Sequence, residues 1–270
     1  MRLPLLALVG GVVFAGPLRA QGESPDALRA GLQIPVVPVE RADGATPAVT
    51  VSSPTGYGAD AGIAFAGAGF QQRTRFTNTP DAAFVVGLGL GDARRTVGLE
   101  LAATSYSVGR RHAPGQVGSF SFKLHRMLPG AVAVAGGVEN VAHWGDTDAG
   151  RSVYGSVSHL FLLNGDPRLR FGAVVLTAGA GNGRFRSERD VVAGKKTVSP
   201  FGSLALFVAR PVTVVADWTG QDLAVGTSIV PFQRVPLVVT PAVADLTHRA
   251  GDGARFVLGV GYGIRFRSPF

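Results

Sequence analysis

The chain has 270 residues, 46% of them hydrophobic and 16% charged, with 38 glycines, 17 prolines and no cysteine. So little charge beside so much aliphatic surface excludes a disordered chain, and glycines without a three-residue repeat exclude collagen. The missing cysteines exclude a disulfide scaffold, a zinc–thiolate site and a cysteine nucleophile, and the formal net charge is +8.

Residues 1–20 place Arg2 before an apolar core at 5–15 and end in Leu18 and Ala20. This layout predicts a secretory signal peptide cleaved after Ala20. Its apolar core is shorter than the ~20 residues a spanning helix needs. Without Arg2 and Arg19 the mature chain keeps 24 basic against 18 acidic residues, a charge of +6. An oxidising compartment permits disulfides without requiring them.

Residues 21–59 form a separate segment. Ser24-Pro25-Asp26 is a helix-start signal, with Ser as N-cap and Pro at the first helical position. It predicts a short helix over 27–32. Residues 34–57 carry Pro35, Pro38, Pro47 and Pro54 with no lasting periodicity, which reads as an extended tether.

From residue 60 the pattern becomes strands. No charge-free apolar run beyond the signal reaches the length of a spanning helix; the longest candidates, 171–183 and 197–209, are about thirteen residues each. Segments of ~9–12 residues instead alternate in polarity between turn signals, the length of a tilted membrane strand. In 255–267 the even positions carry Phe256, Leu258, Val260, Tyr262, Ile264 and Phe266, while the odd ones carry glycine, arginine and Val257. A two-residue period puts these sets on opposite faces. The same design recurs at Phe84, Val86, Leu88 and Leu90, at Phe120, Phe122 and Leu124, and at Val212, Val214 and Trp218. It weakens over 171–180 and 237–244, where both faces are apolar.

Twelve strands follow from this count, centred near residues 65, 86, 101, 121, 136, 157, 175, 204, 215, 227, 240 and 260. The pattern admits 10–14. Every second connection is short (91–94, 127–130, 164–167, 210–211, 232–236), and most of the others are longer, notably 181–196. The expected fold is an all-β, closed antiparallel barrel over residues 60–270. In it the apolar face points to lipid, and the glycines of the inner face leave room inside.

The chain resembles a Gram-negative outer-membrane β-barrel. Such proteins end in Phe with apolar residues at alternate positions before it; here Phe270 is last, with Phe266, Ile264 and Tyr262 in its parity and Ser268 departing from it. The resemblance implies placement in the outer membrane, a periplasmic position for 21–59, and recognition of the last strand by the barrel-assembly machinery. It also implies contact with outer-membrane lipid and lipopolysaccharide. Twelve strands lie between small barrels filled by side chains and porins with an aqueous channel, so the lumen is narrow, partly filled or open.

Alternation places Glu100, Lys123, His125, Glu139 and Asp217 on the inner face. They either line a selective pore or pair within a closed lumen; their mixed signs favour pairing. Arg184, Arg186, Arg189, Lys195 and Lys196, with Arg73, Arg75, Arg110 and Arg111, fall in the longer loops. There they are placed to bind the phosphates of lipopolysaccharide or to sit in solvent. Basic residues also occur on the other rim, at Arg94, Arg95, Arg168 and Arg170, and this scatter speaks against nucleic acid.

Neither glycine string, at 87–91 or 179–183, has the G-x-G-x-x-G spacing of a dinucleotide site. Asp146-Thr-Asp148-Ala-Gly150 opens like a calcium loop, but Val157 stands where an EF-hand has Glu. His112, His125, His143, His159 and His248 are scattered, and there is no G-x-S-x-G elbow. The residues thus name no catalytic group, metal site or cofactor, and set no oligomeric state. The expected role is passive transport through a narrow pore, or a structural envelope protein. The alternatives are a barrel-borne lipid-modifying enzyme using a histidine, and a soluble exported β-sandwich that binds a ligand.

Overall fold

In a computed structural model, residues 45–76, 78–106, 113–145, 150–164, 170–232 and 234–266 are described. The signal peptide, the short helix at 27–32, Arg110, Arg111, His112, Asp146, Asp148, Arg168 and Phe270 lie outside them.

The described residues form twelve strands: β1 (Ile63–Gln71), β2 (Asp81–Gly91), β3 (Gly98–Ser105), β4 (Gly118–Leu128), β5 (Val132–Trp144), β6 (Ser152–Leu162), β7 (Ala173–Gly181), β8 (Ser199–Ala209), β9 (Val212–Trp218), β10 (Leu223–Ile229), β11 (Leu237–Ala244) and β12 (Arg255–Arg265). Each pairs antiparallel with its neighbours in sequence, and β12 returns to β1 with Ile63 opposite Arg265 and Gln71 opposite Val257. The ring is closed, so no strand presents an unpaired edge. A two-layer sandwich is thereby excluded.

Face parity follows the two-residue period. Phe84, Val86, Leu88, Phe120, Leu124 and Leu204 are exposed on the outside, and Val86 keeps 59% of its surface. Residues of the opposite parity turn inward and are buried: Val85, Glu100, Ser119, Lys123, His125 and Asp217. Connections on the side where β1 begins and β12 ends are mostly short, down to the Arg210–Pro211 turn, and most on the opposite side are longer. The link between β6 and β7 departs from this, running over 163–172 on the short side.

The interior is filled. Residues 45–57, part of the 34–57 stretch read as an extended tether, run with 58–60 through the lumen. Ala48 packs on Val230 and Val238 at the short-turn mouth. The chain then rises, so that Ser53 Oγ reaches the Trp218 carbonyl near the long-loop mouth. It turns at Pro54 and descends, and Asp60 meets the N–H of Ala93 back at the short-turn side. The segment is extended, as its prolines dictate, but it is a finger folded into the barrel. At Gly56 the approach is so close that a Cβ would fall 2.2 Å from the Ala133 carbonyl oxygen; only glycine fits there.

The finger also accounts for the weakened alternation of β7 and β11. Val175, Ala242 and Ala244 face inward and join Val49, Val51, Phe207, Val215 and Val257 in one apolar cluster. Inward apolar groups are stable there because chain, not water, lies opposite. Higher up, the β7–β8 connection folds inward too. Phe185, in a 3₁₀ turn at Gly183–Phe185, is fully buried and stacks on Phe201 at 4.5 Å, with Tyr154 edge-on. The room left by inner-face glycines is used by these rings: a Cβ at Gly179 would meet Phe201.

Phe185→Ala should therefore cost about 3–5 kcal/mol, the range for truncating a buried aromatic. Denaturant unfolding of the reconstituted protein measures it, and increased proteolysis within 182–198 should accompany the loss.

Candidate functional site: the occluded lumen

All five residues assigned to the inner face are there, each at most 9% exposed. Glu100 and Lys123 are register partners on β3 and β4, with Nζ 3.1 Å from Oε1. The other Glu100 oxygen accepts the N–H of Ala59 at 2.9 Å. His125 Nε2 lies 3.2 Å from Asp60 Oδ1. Glu139 takes a forked contact from Arg184, Nε to Oε2 at 2.6 Å and Nη2 to Oε1 at 3.1 Å. Opposite charges thus pair, the arrangement their mixed signs favoured.

Among the described residues no cation is paired with Asp217. One of its oxygens accepts three consecutive finger N–H groups, from Val51 at 2.8 Å, Ser52 at 2.6 Å and Ser53 at 2.9 Å. Three convergent amides form a nest that holds an anionic oxygen without a formal counter-charge. Asp217 sits near the long-loop end of β9, so it grips the finger at its tip. Lower down, Ala48 donates to Ser228 Oγ and accepts from Thr213, and the Val49 carbonyl accepts from Ser203.

Two of the five loop cations assigned to the outside are corrected. Arg184 points into the lumen, where it binds Glu139 and donates to the Ser52 carbonyl at 3.1 Å. Arg186 is buried and donates to the carbonyls of Gly183 and Lys195. Both move because Phe185 between them is drawn into the aromatic cluster and carries the loop inward. Arg189, Lys195 and Lys196 remain exposed, on and just after the short helix α1 (Glu188–Val192).

Arg75 also turns in. It donates to Gln221 Oε1 at 2.6 Å and to Asp222 at 2.9 Å, and Arg255 reaches the same Asp222 oxygen at 3.2 Å. Arg73 pairs with Asp252. These contacts lace the β1–β2, β9–β10 and β11–β12 connections across the long-loop mouth.

Asn140 was missed, since alternation puts it outside. Residues 139–141 bulge opposite the single Ser121, and register resumes at Ala142–Phe120. At φ 57° Asn140 adopts the left-handed conformation, which asparagine tolerates better than most residues. It therefore turns inward beside Glu139, where its Oδ1 accepts from Tyr106 and Ser119. Burial pushes the Tyr106 hydroxyl up to about 12, so it stays a donor.

Between the finger and the β2–β6 wall lies a cavity of about 100 Å³, lined by Glu100, Lys123, Glu139, Arg184, Tyr106 and hydroxyls such as Thr50 and Thr55. Among the described residues no group of three or more His, Cys, Asp or Glu is placed to hold a metal. His159 is stacked against Phe161.

Asp217→Ala should leave the buried N–H groups of Val51 and Ser53 and the part-buried one of Ser52 without their acceptor, at about 1–3 kcal/mol for each buried donor. Protection of the Val51–Ser53 amides in hydrogen exchange should fall while the strand amides stay protected. Burial alone would raise Asp222, but Arg75 and Arg255 outweigh it and hold its carboxyl below the usual range. Its contribution is complete above the unfolded value of about 3.9 and is lost as pH falls through the depressed folded value. Stability measured from pH 6 downward should thus decline more steeply in the wild type than in Asp222→Asn.

No family model matches the chain, and no curated protein does either. Among solved structures, an outer membrane channel from Pseudomonas putida F1 aligns with 80% of this chain and 100% of that one, at 11% identity and a TM-score of 0.44.

Proposed function

We propose that this chain is an integral outer-membrane β-barrel whose lumen is closed at rest by its own residues 45–60. One observation carries the reading: the barrel is inside-out for a water-soluble protein. Large apolar side chains are exposed on eleven of its twelve strands, where soluble monomers rarely expose large contiguous apolar patches. Ions, hydroxyls and the finger's peptide groups are packed within. Only hydrocarbon makes such an exterior favourable, and only a closed ring satisfies every strand amide there.

The export signal expected at residues 1–20 fits delivery to that membrane. Tyr262, Ile264 and Phe266 share the exposed outer face of the last strand, the presentation that reading by the assembly machinery requires. Arg189, Lys195 and Lys196, exposed on the long-loop side, are the cations from the β7–β8 connection best placed for lipopolysaccharide phosphates.

Leu258 and Val257 test this orientation. Leu258→Arg faces lipid and should cost roughly 2–4 kcal/mol near the midplane. A roomy lumen would make Val257→Arg the milder change. Val257 is instead packed in the apolar cluster with Val49 and Val51, so it should impair folding as well. The two should separate by environment: in a detergent micelle Val257→Arg keeps its penalty, while that of Leu258→Arg shrinks. Recovery of the wild type in the soluble fraction without detergent would overturn the assignment.

A further inference from the structure

The two rims of the barrel differ in how their charges are matched. At the short-turn rim an exposed arginine stands in or beside each of the six positions round the ring. These are Arg94 in the β2–β3 connection, Arg126 near the end of β4, Arg170 between β6 and β7, Arg210 between β8 and β9, Arg234 between β10 and β11, and Arg265 at the end of β12. The acid in these connections, among the described residues, is Asp92, whose carboxylate lies 3.5 Å from Arg95 Nε. Asp60, on the finger, is turned to His125. Among the described residues no carboxylate pairs with Arg126, Arg170, Arg210 or Arg234. Toward the long-loop rim, by contrast, Arg73 has Asp252, Arg75 and Arg255 share Asp222, and Arg184 has Glu139.

Between its charges the same rim is apolar. Leu163, Phe171, Phe232 and Val235 lie in the short connections themselves and are exposed, as is Phe266 just past β12. Aromatic and aliphatic groups interleaved with arginine suit the zone where acyl chains meet headgroups. Arg126 makes the case within the wall. Leu124 and Leu128 flank it on the exposed face of β4, and its register partner is Val134. In a bilayer its stem lies along apolar surface, and its charged head is satisfied by snorkelling toward the rim.

Resting on the outer-membrane reading, we infer that the short-turn rim is a collar that binds the phosphates of anionic phospholipids in the leaflet it meets. Short turns of such barrels face the periplasmic side. The planar guanidinium fork takes two phosphate oxygens at once, and the attraction adds over the ring. Acids are scarce in the collar, so it favours a headgroup whose phosphate charge is not cancelled by an ammonium of its own. The exposed apolar tips select a phosphate that is tethered to acyl chains over one that is free in solution.

Native mass spectrometry of the full chain, released from mixed micelles of phosphatidylglycerol and phosphatidylcholine, tests this. The wild type should retain phosphatidylglycerol several-fold more than phosphatidylcholine, and raised salt should weaken that preference. The triple variant Arg126→Gln, Arg210→Gln, Arg234→Gln should lose it. All three side chains are exposed, so circular dichroism should show an unchanged barrel. Removing three cations from the other rim, by Arg189→Gln, Lys195→Gln and Lys196→Gln, should leave the preference intact. Millimolar inorganic phosphate should not displace the lipid.

Equal retention of the two lipids by the wild type would overturn the collar while leaving the membrane barrel standing, and that measurement needs no variant. Survival of the preference in the folded short-rim variant, or an equal loss in both triple variants, would overturn it as well. Displacement by inorganic phosphate would overturn the lipid assignment in favour of the free anion. Failure of the wild type to remain in carbonate-washed membranes would instead defeat the outer-membrane reading beneath it.

Discussion

The pairing of β12 with β1 over nine residues is the constraint from which the rest proceeds. Closure gives every strand two neighbours, and in a medium without hydrogen-bond partners each unpaired peptide group would cost several kcal/mol. Once the ring is closed, its two faces have opposite requirements. The outside carries the large exposed apolar side chains. The inside is a cylinder of fixed bore, and whatever occupies it must satisfy the polar groups that alternation puts there.

Water could satisfy them, and so can chain. Here the chain does much of it. The Ser and Thr hydroxyls of the inner wall, at Ser158, Ser203, Thr213 and Ser228, bond to backbone groups of the finger. These residues act as a lining for an extended peptide that has no sheet partner of its own. Asp217 is the strongest such case, since one carboxylate oxygen replaces the strand that Val51, Ser52 and Ser53 would otherwise need. The apolar cluster then adds burial on the same leg, which is why one half of the lumen is dry and the other retains a cavity.

How much of this the sequence discloses depends on whether the signal is local. Strand number, strand centres and face parity are local, set by a two-residue period, and they agree with the structure from Phe65 to Val260. The inward placement of Glu100, Lys123, His125, Glu139 and Asp217 follows from the same period. The finger is not local: nothing in a proline-spaced segment says which wall it will lie against. A signal was nonetheless present. Residues 45–59 contain no charged side chain, whereas 21–44 contain several, and an uncharged stretch rich in Val, Thr and Ser is poor composition for a solvated tether. The apolar inner faces of β7 and β11 were the complementary signal. Read together, they announce a dry surface inside the barrel and a segment able to cover it. Arg184 and Arg186 were illegible for a different reason, because their direction is fixed by the burial of Phe185, a tertiary event. Asn140 escaped because a bulge breaks the period itself.

The topology of the finger bears on how it can move. Both of its ends lie at the short-turn mouth: Ala48 beside Val230, and Asp60 beside Ala93. A segment that crossed the lumen from one mouth to the other could leave only by threading. A finger that enters and returns through one mouth can shift or withdraw one leg at a time, with the ring of strands undisturbed. The long-loop mouth, by contrast, is bound across by Arg73–Asp252 and by Arg75 and Arg255 on Asp222. Exposed ion pairs contribute little, but the buried carboxylate of Asp222, shared by two arginines, holds its partners in fixed geometry. At the short-turn end the descending leg is held by Gly56 on Ser158, by Ala59 on Glu100, by Asp60 on His125 and Ala93, and by Tyr57 against the apolar cluster.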